Sequence, residues 1–306
     1  MQTTVKKRIC LVGTGLHSGR PVRMNILPAS AEFGIWFRRS DISDRDNLIA
    51  GRYDNVIDTK LCTAIANDAG TSVSTVEHLM AAFAGCGVHN ALVEVDGPEI
   101  PIMDGSSDRF VREILTTGLR RLNAPVRAIR VLERVEVMSG EVRAMIEPAK
   151  TLEIDFSIEF PDAAIGKQSK NLDMANGAFV RELRNCRTFC RKADVDWMLS
   201  QGLGRGGNLG NALVVDGDEV LTPGGPRHAD EYVRHKMLDA LGDLALAGVP
   251  LIGRYRGIRA GHAITNALLR KLFAHPAAYQ MVTCDAGMAT SLPGAGICAA
   301  DMQHVA

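Results

Sequence analysis

The chain has 306 residues, 35 Lys+Arg against 35 Asp+Glu, 46% hydrophobic and 5% aromatic side chains. This balance excludes a disordered or fibrous chain, and no long basic run supplies the electrostatic footprint of a nucleic-acid binder. The length is enough for two domains, each with its own core. The N-terminus shows no apolar secretory segment, and the most apolar stretch, 238–252, is broken by Asp239, Asp243, Gly248 and Pro250. A cytoplasmic protein without a membrane span is expected. Seven cysteines, odd in number and scattered, do not form a disulfide framework. Cys186 and Cys190 lack a second close pair and read as small packing residues rather than metal ligands.

Taken in chain order, helical periodicity is clear over 75–84 and 108–117, with a β-rich run at 91–95 between them. Asn123-Ala124-Pro125 then precedes a new set of strands at 128–132, 152–156 and 212–215. Helical periodicity returns at 232–247 and 264–274. The class is mixed α/β, with a boundary that divides the chain into 1–125 and 126–306. Asn90–Gly97 echoes Asn211–Gly217 across that boundary, which points to a duplicated domain, although two strands ending in Asp-Gly turns can agree by chance. Beyond about residue 286 the chain turns to Ala, Gly and Ser without period, and a loosely ordered tail is expected.

The helix at 232–247 carries the clearest chemical signal. At about 100° per residue, His235, Asp239, Asp243 and Lys236 project at roughly 0°, 40°, 80° and 100°, opposite Met237, Leu238, Leu241 and Leu244. An imidazole and a carboxylate four apart can grip one ion. A second source of ligands is Glu77-His78, because a helical His beside a Glu is what a metal-and-general-base mechanism requires. Against this, Ser74-x-x-Glu77 is also a capping box, and a lone His78 can be a satisfied core residue. His262, after Gly261 at a helix start, can act as an acid with Asp243 to orient it, or be structural. His17 lies in a turn, and His89, His228, His275 and His304 fall in loops or the tail. Two histidines and a carboxylate suit a zinc hydrolase or an Fe(II) oxygenase; Glu77 and His262 tilt the choice to hydrolysis, which needs a base and an acid.

Several blocks resemble the UDP-3-O-acyl-N-acetylglucosamine deacetylase family, the zinc enzymes of lipid A synthesis. They are Gly15–Gly19, Ser74–Ala82, Pro98–Gly105, Arg187-Thr188-Phe189, Val233–Asp243 and Gly261-His262-Ala263, in order over about the first 280 residues. The resemblance implies an α+β fold of two similar domains, each a β-sheet layer with a pair of helices, the helices packed between the sheets. It implies Zn2+, with Fe2+ as a possible substitute, on His78, His235 and Asp239. It further implies Glu77 as general base, Thr188 as oxyanion donor, and His262 with Asp243 as acid and orienter. Lys236, Phe189 and Phe160 would face a UDP-linked acylated glucosamine, with Cys62 a pocket neighbour. The stretches 195–199 and 202–212 would build the acyl-chain passage, and the protein is expected to act as a monomer.

Overall fold

The computed structural model describes residues 1–304. Its architecture is built twice over. In the first half a five-stranded sheet runs in the order Ile9–Thr14, Pro21–Pro28, Ala91–Val95, Ile35–Arg39, Leu48–Ala50. In the second half the same plan appears as Val135–Ser139, Val142–Glu147, Leu251–Ile258, Leu152–Glu159, Lys167–Asp173. Each sheet starts with an antiparallel hairpin. In each, the central strand is the last of the five in sequence, antiparallel to one neighbour and parallel to the other. Strands Arg127–Val131 and Tyr279–Thr283 extend the second sheet.

Helices also correspond. Before the central strand of the first half comes α1 (Glu77–Cys86), and after it α2 (Asp108–Thr117). The second half inserts a short α3 (Lys192–Ser200), then places α4 (Glu231–Ala245) before its central strand and α5 (His262–Phe273) after it. Both halves carry a small three-stranded insert: Val56–Asp58, Ala64–Ala66, Ser72–Val73 in one, and Phe189–Arg191, Leu213–Asp216, Glu219–Val220 in the other. The α+β expectation of two similar layers with paired helices therefore holds. The sequence echo does not mark the repeat, however. Strand Ala91–Val95 is the centre of its sheet, whereas Leu213–Asp216 belongs to the insert; its true counterpart is Leu251–Ile258. The shared Asp-Gly ending reflects a common turn chemistry.

Local sequence explains these elements. Leu152–Glu159 alternates, so Leu152, Ile154, Phe156 and Ile158 enter the core while Glu153 and Asp155 face outward. On the adjacent parallel strand Arg254 and Arg256 stand opposite them and donate at 2.7 and 2.8 Å. These exposed pairs set register more than stability. Helix α1 is apolar almost all round and nine of its ten residues are buried, as expected of a helix enclosed on every side. It stops at Gly87, whose φ of 70° is the left-handed turn glycine tolerates.

Residues beyond 285 carry more structure than their composition announces. Helix α6 (Ala286–Ser291) and a 3-10 segment at Ala299–His304 fold back on the body. Leu292 is buried, Gly294 abuts Gly87 at the end of α1, and the buried Arg184 donates to the Met302 carbonyl at 2.9 Å. Contacts with distant residues, which leave no local period, hold this segment.

Helices α1 and α4 cross in the middle of the molecule, and the crossing is tight. A Cβ on Gly242 of α4 would lie 2.0 Å from the Glu77 carbonyl oxygen of α1. Gly242→Ala should therefore destabilise the fold by about 1–3 kcal/mol through overpacking, despite the better helix propensity of alanine. It should also displace Glu77. A melting curve and an activity assay on this variant check both; an unchanged melting temperature would show that the helices separate without cost.

Candidate metal centre

Three groups meet where α1 and α4 cross. His78 from α1 and His235 and Asp239 from α4 have ligand atoms all within 4.8 Å of one another, and all three residues are buried. The His78 and His235 Nε2 atoms lie 3.5 and 3.3 Å from the same oxygen, Asp239 Oδ1. His235 Nδ1 is 3.0 Å from the Cys186 carbonyl, which can only accept, so Nδ1 carries a proton and Nε2 is the nitrogen turned to the cluster. Burial lowers the pKa of His78 and favours its neutral form. Two imidazole nitrogens and a carboxylate oxygen thus stand together away from solvent, a donor set able to hold a cation. Nitrogen and oxygen donors of this kind suit a divalent ion such as zinc.

The other Asp239 oxygen is already taken. Lys236 Nζ donates to Oδ2 at 2.6 Å, leaving Oδ1 for the cluster. Burial alone would raise the Asp239 pKa, but His235 and Lys236 outweigh it and hold the carboxyl well below its usual range. Lys236, expected to face substrate alone, therefore also serves the ligand set. Its ammonium lies 5.8 Å from the centroid of the Phe189 ring.

Beside the cluster stands an acid–base pair. His262, first residue of α5, places Nδ1 2.8 Å from Asp243 Oδ2, as the sequence suggested. Burial would depress this imidazole, yet Asp243 and then Glu77 raise it to about 9, so it stays protonated at neutral pH. Its Nε2 is 4.0 Å from Glu77 Oε1. Glu77 is buried, and desolvation pushes its pKa up to about 7 against the opposing pull of His262. The capping reading of Glu77 is not realised: its Oε2 accepts from the Thr63 amide at 3.0 Å, while Ser74 is bonded to the Pro98 carbonyl.

Residues the sequence reading passed over fix this geometry. Thr63 bridges both carboxylates, through its amide to Glu77 and through its hydroxyl to Asp243 at 2.6 Å. Glu99 is buried and accepts from His17 N, Ser18 N and Thr75 Oγ1 at 2.8, 2.8 and 2.9 Å. It thereby pins Thr75, a β-branched residue at φ 59°, two positions before Glu77. Glu231, fully buried at the start of α4, accepts from the Arg187 amide and guanidinium and so anchors the loop that carries the Cys186 carbonyl. Only Glu99, inside an unusual block, had a sequence signal.

Thr188 lies two positions after Cys186, its backbone bonded to Gly105 and Leu213; among the described residues no protein group pairs with its hydroxyl. Phe189 stacks edge-on with Phe160 at 5.4 Å and lies 6.3 Å from the His235 ring. Cys62 is buried next to Thr63, and burial pushes its thiol far above the ordinary range, which disfavours the thiolate a metal needs. His17 accepts from Gly204 N at 3.3 Å and joins the 15–19 loop to the 202–212 loop.

Comparison with known proteins agrees with this geometry. Residues 2–274 match the family described as UDP-3-O-acyl N-acetylglycosamine deacetylase. Among curated proteins, a UDP-3-O-acyl-N-acetylglucosamine deacetylase of Phenylobacterium zucineum is 48% identical over 92% of this chain and 96% of its own length. Proteins of the same name from Anaeromyxobacter sp. and Pasteurella multocida are 43% and 42% identical, over 95% and 93% of both chains. With a match of this extent, the chain belongs to the UDP-3-O-acyl-N-acetylglucosamine deacetylase family.

Proposed function

We propose that this chain hydrolyses the N-acetyl group of UDP-3-O-acyl-N-acetylglucosamine, giving acetate and the free amine, with Zn2+ held by His78, His235 and Asp239. The observation that supports this most is the buried cluster of two imidazole nitrogens and a carboxylate oxygen beside Glu77 and His262, which lie 4.0 Å apart. When bound, the ion supplies Lewis-acid polarisation of the acetamide carbonyl and lowers the pKa of water. Everything else is done by side chains. Glu77, held by Thr63, takes the proton of the attacking water through its free Oε1. The unpaired Thr188 hydroxyl meets the oxyanion. His262 gives its proton from Nε2 to the departing nitrogen, while Asp243 keeps the imidazolium oriented and charged.

Lys236 and the Phe189–Phe160 pair form the wall offered to the sugar nucleotide. Helix α3 exposes Trp197 and Leu199, with exposed Leu61 and Leu209 nearby in sequence to the site loops, consistent with an apolar passage for the acyl chain. All ligands, base and acid come from one chain, so a monomer suffices. No helix among the described residues is long and apolar enough to cross a membrane, and all seven cysteines are free thiols, which fits the cytoplasm. The same triad accommodates Fe2+; metal analysis of anaerobically purified protein, paired with acetate release, identifies the working ion.

Three outcomes are expected. Glu77→Ala should retain near-stoichiometric metal and lose about 10²–10⁴ in kcat, measured by acetate release and metal content on one sample; normal turnover would remove Glu77 as the base. His235→Ala should lose bound metal, and unchanged content would overturn the ligand set. Because the His262 pKa is raised to about 9, its acid form is present below that pH and lost above it. The pH profile of kcat/KM should therefore fall on its basic side near 9, and His262→Asn should abolish that limb along with most activity.

A further inference from the structure

A second concavity lies further along the two catalytic helices. It is a partly open cavity of about 140 Å³, with walls from both halves of the molecule. Met80, Phe83 and Ala84 of α1 form one side, and Leu241, Leu244 and Ala245 of α4 form the other. Ala84 is seven residues beyond Glu77, or roughly 10 Å at 1.5 Å per residue, so this space is distinct from the metal cluster.

The lining sets the chemistry of an occupant. Apolar side chains make up most of its walls, so the space favours a compact apolar body. The two charged residues in the lining, Glu32 and Arg127, neutralise each other across the two halves, and Gln2 and Asn90 are engaged with each other and with backbone carbonyls. One polar edge remains. His89 uses Nδ1 on Thr3, while among the described residues its Nε2 has no protein partner. Burial holds this imidazole neutral, with a pKa lowered to about 4. A charged ligand would gain nothing here, but a single hydrogen-bonding group would find a partner.

We propose that this interhelical cavity is a binding site for a compact, neutral, largely apolar molecule carrying one hydrogen-bonding group. Its occupant touches α1 and α4 together and so bears on the crossing that sets Glu77 against Asp243 and His262. This inference rests on the cavity and not on the deacetylase reading. A ligand that binds the folded protein and not the unfolded chain stabilises it by linkage.

The test uses the full-length, metal-loaded protein with cyclohexanone as probe and cyclohexane as its counterpart without the carbonyl. Saturable shifts of the Met80 methyl resonance and a rise in melting temperature are expected, with cyclohexanone the better ligand. Ala84→Leu and, from the opposite wall, Ala245→Leu should each weaken binding at least tenfold; their own melting curves show whether they fold. Absence of saturable Met80 shifts in the wild type overturns the proposal. Binding as tight as the wild type's by both filled variants, or shifts confined to methyl groups outside the cavity, overturns it as well.

Discussion

The distance between α1 and α4 is the constraint on which the structure depends. Neither half of the molecule owns a complete site: His78 and Glu77 ride on one helix, His235, Asp239 and Asp243 on the other. Gly242 lets the two backbones meet at the level of Glu77, where any larger side chain would collide with its carbonyl. Close-packed interiors do not yield gradually. A shift of the crossing would therefore alter the His78–His235–Asp239 cluster, the position of Glu77 and its separation from His262 at the same time.

Tight packing also concentrates charge. Glu77, Asp239 and Asp243 are all buried in one pocket, an arrangement that is costly unless each carboxylate finds a partner. Their partners differ, and the basicity of Asp239 and Glu77 differs with them. Asp239 has Lys236 and two imidazoles, which keep it ionised. Asp243 has the Thr63 hydroxyl and His262. Glu77 has one amide bond and an imidazole no closer than 4.0 Å, so its pKa rises to about 7. Unequal compensation thus gives carboxylates of one chemical type different proton affinities within a single site.

Features that repeat locally were legible in the sequence. Helix α2 lies over 108–117 as its periodicity predicts, and the helix at 232–247 appears as Glu231–Ala245 with His235 and Asp239 on one stripe. The His262–Asp243 pair also formed as read. What escaped was long-range or lacked a side-chain signal. Thr63 meets Asp243 across 180 positions, Cys186 acts through its carbonyl, and Gly242 acts by what it lacks. Glu77 illustrates why a motif alone was ambiguous. Its capping-box spacing was present, but the extended Val73, the strained Thr75 and the Pro98 carbonyl drew Ser74 away from the helix end.

The duplication clarifies why the two helices contribute differently. Topologically equivalent, α1 and α4 face each other, yet α4 offers His235 and Asp239 four residues apart and α1 offers neighbours, Glu77 and His78. Residues four apart share a face and converge on one ion; adjacent residues diverge by about 100°. His78 can therefore turn to the cluster while Glu77 turns to Thr63 and His262. Had α1 carried its pair at the α4 spacing, both side chains would face the cluster. Adjacency instead leaves Glu77 beside the cluster, held by Thr63 through Oε2 with Oε1 toward His262.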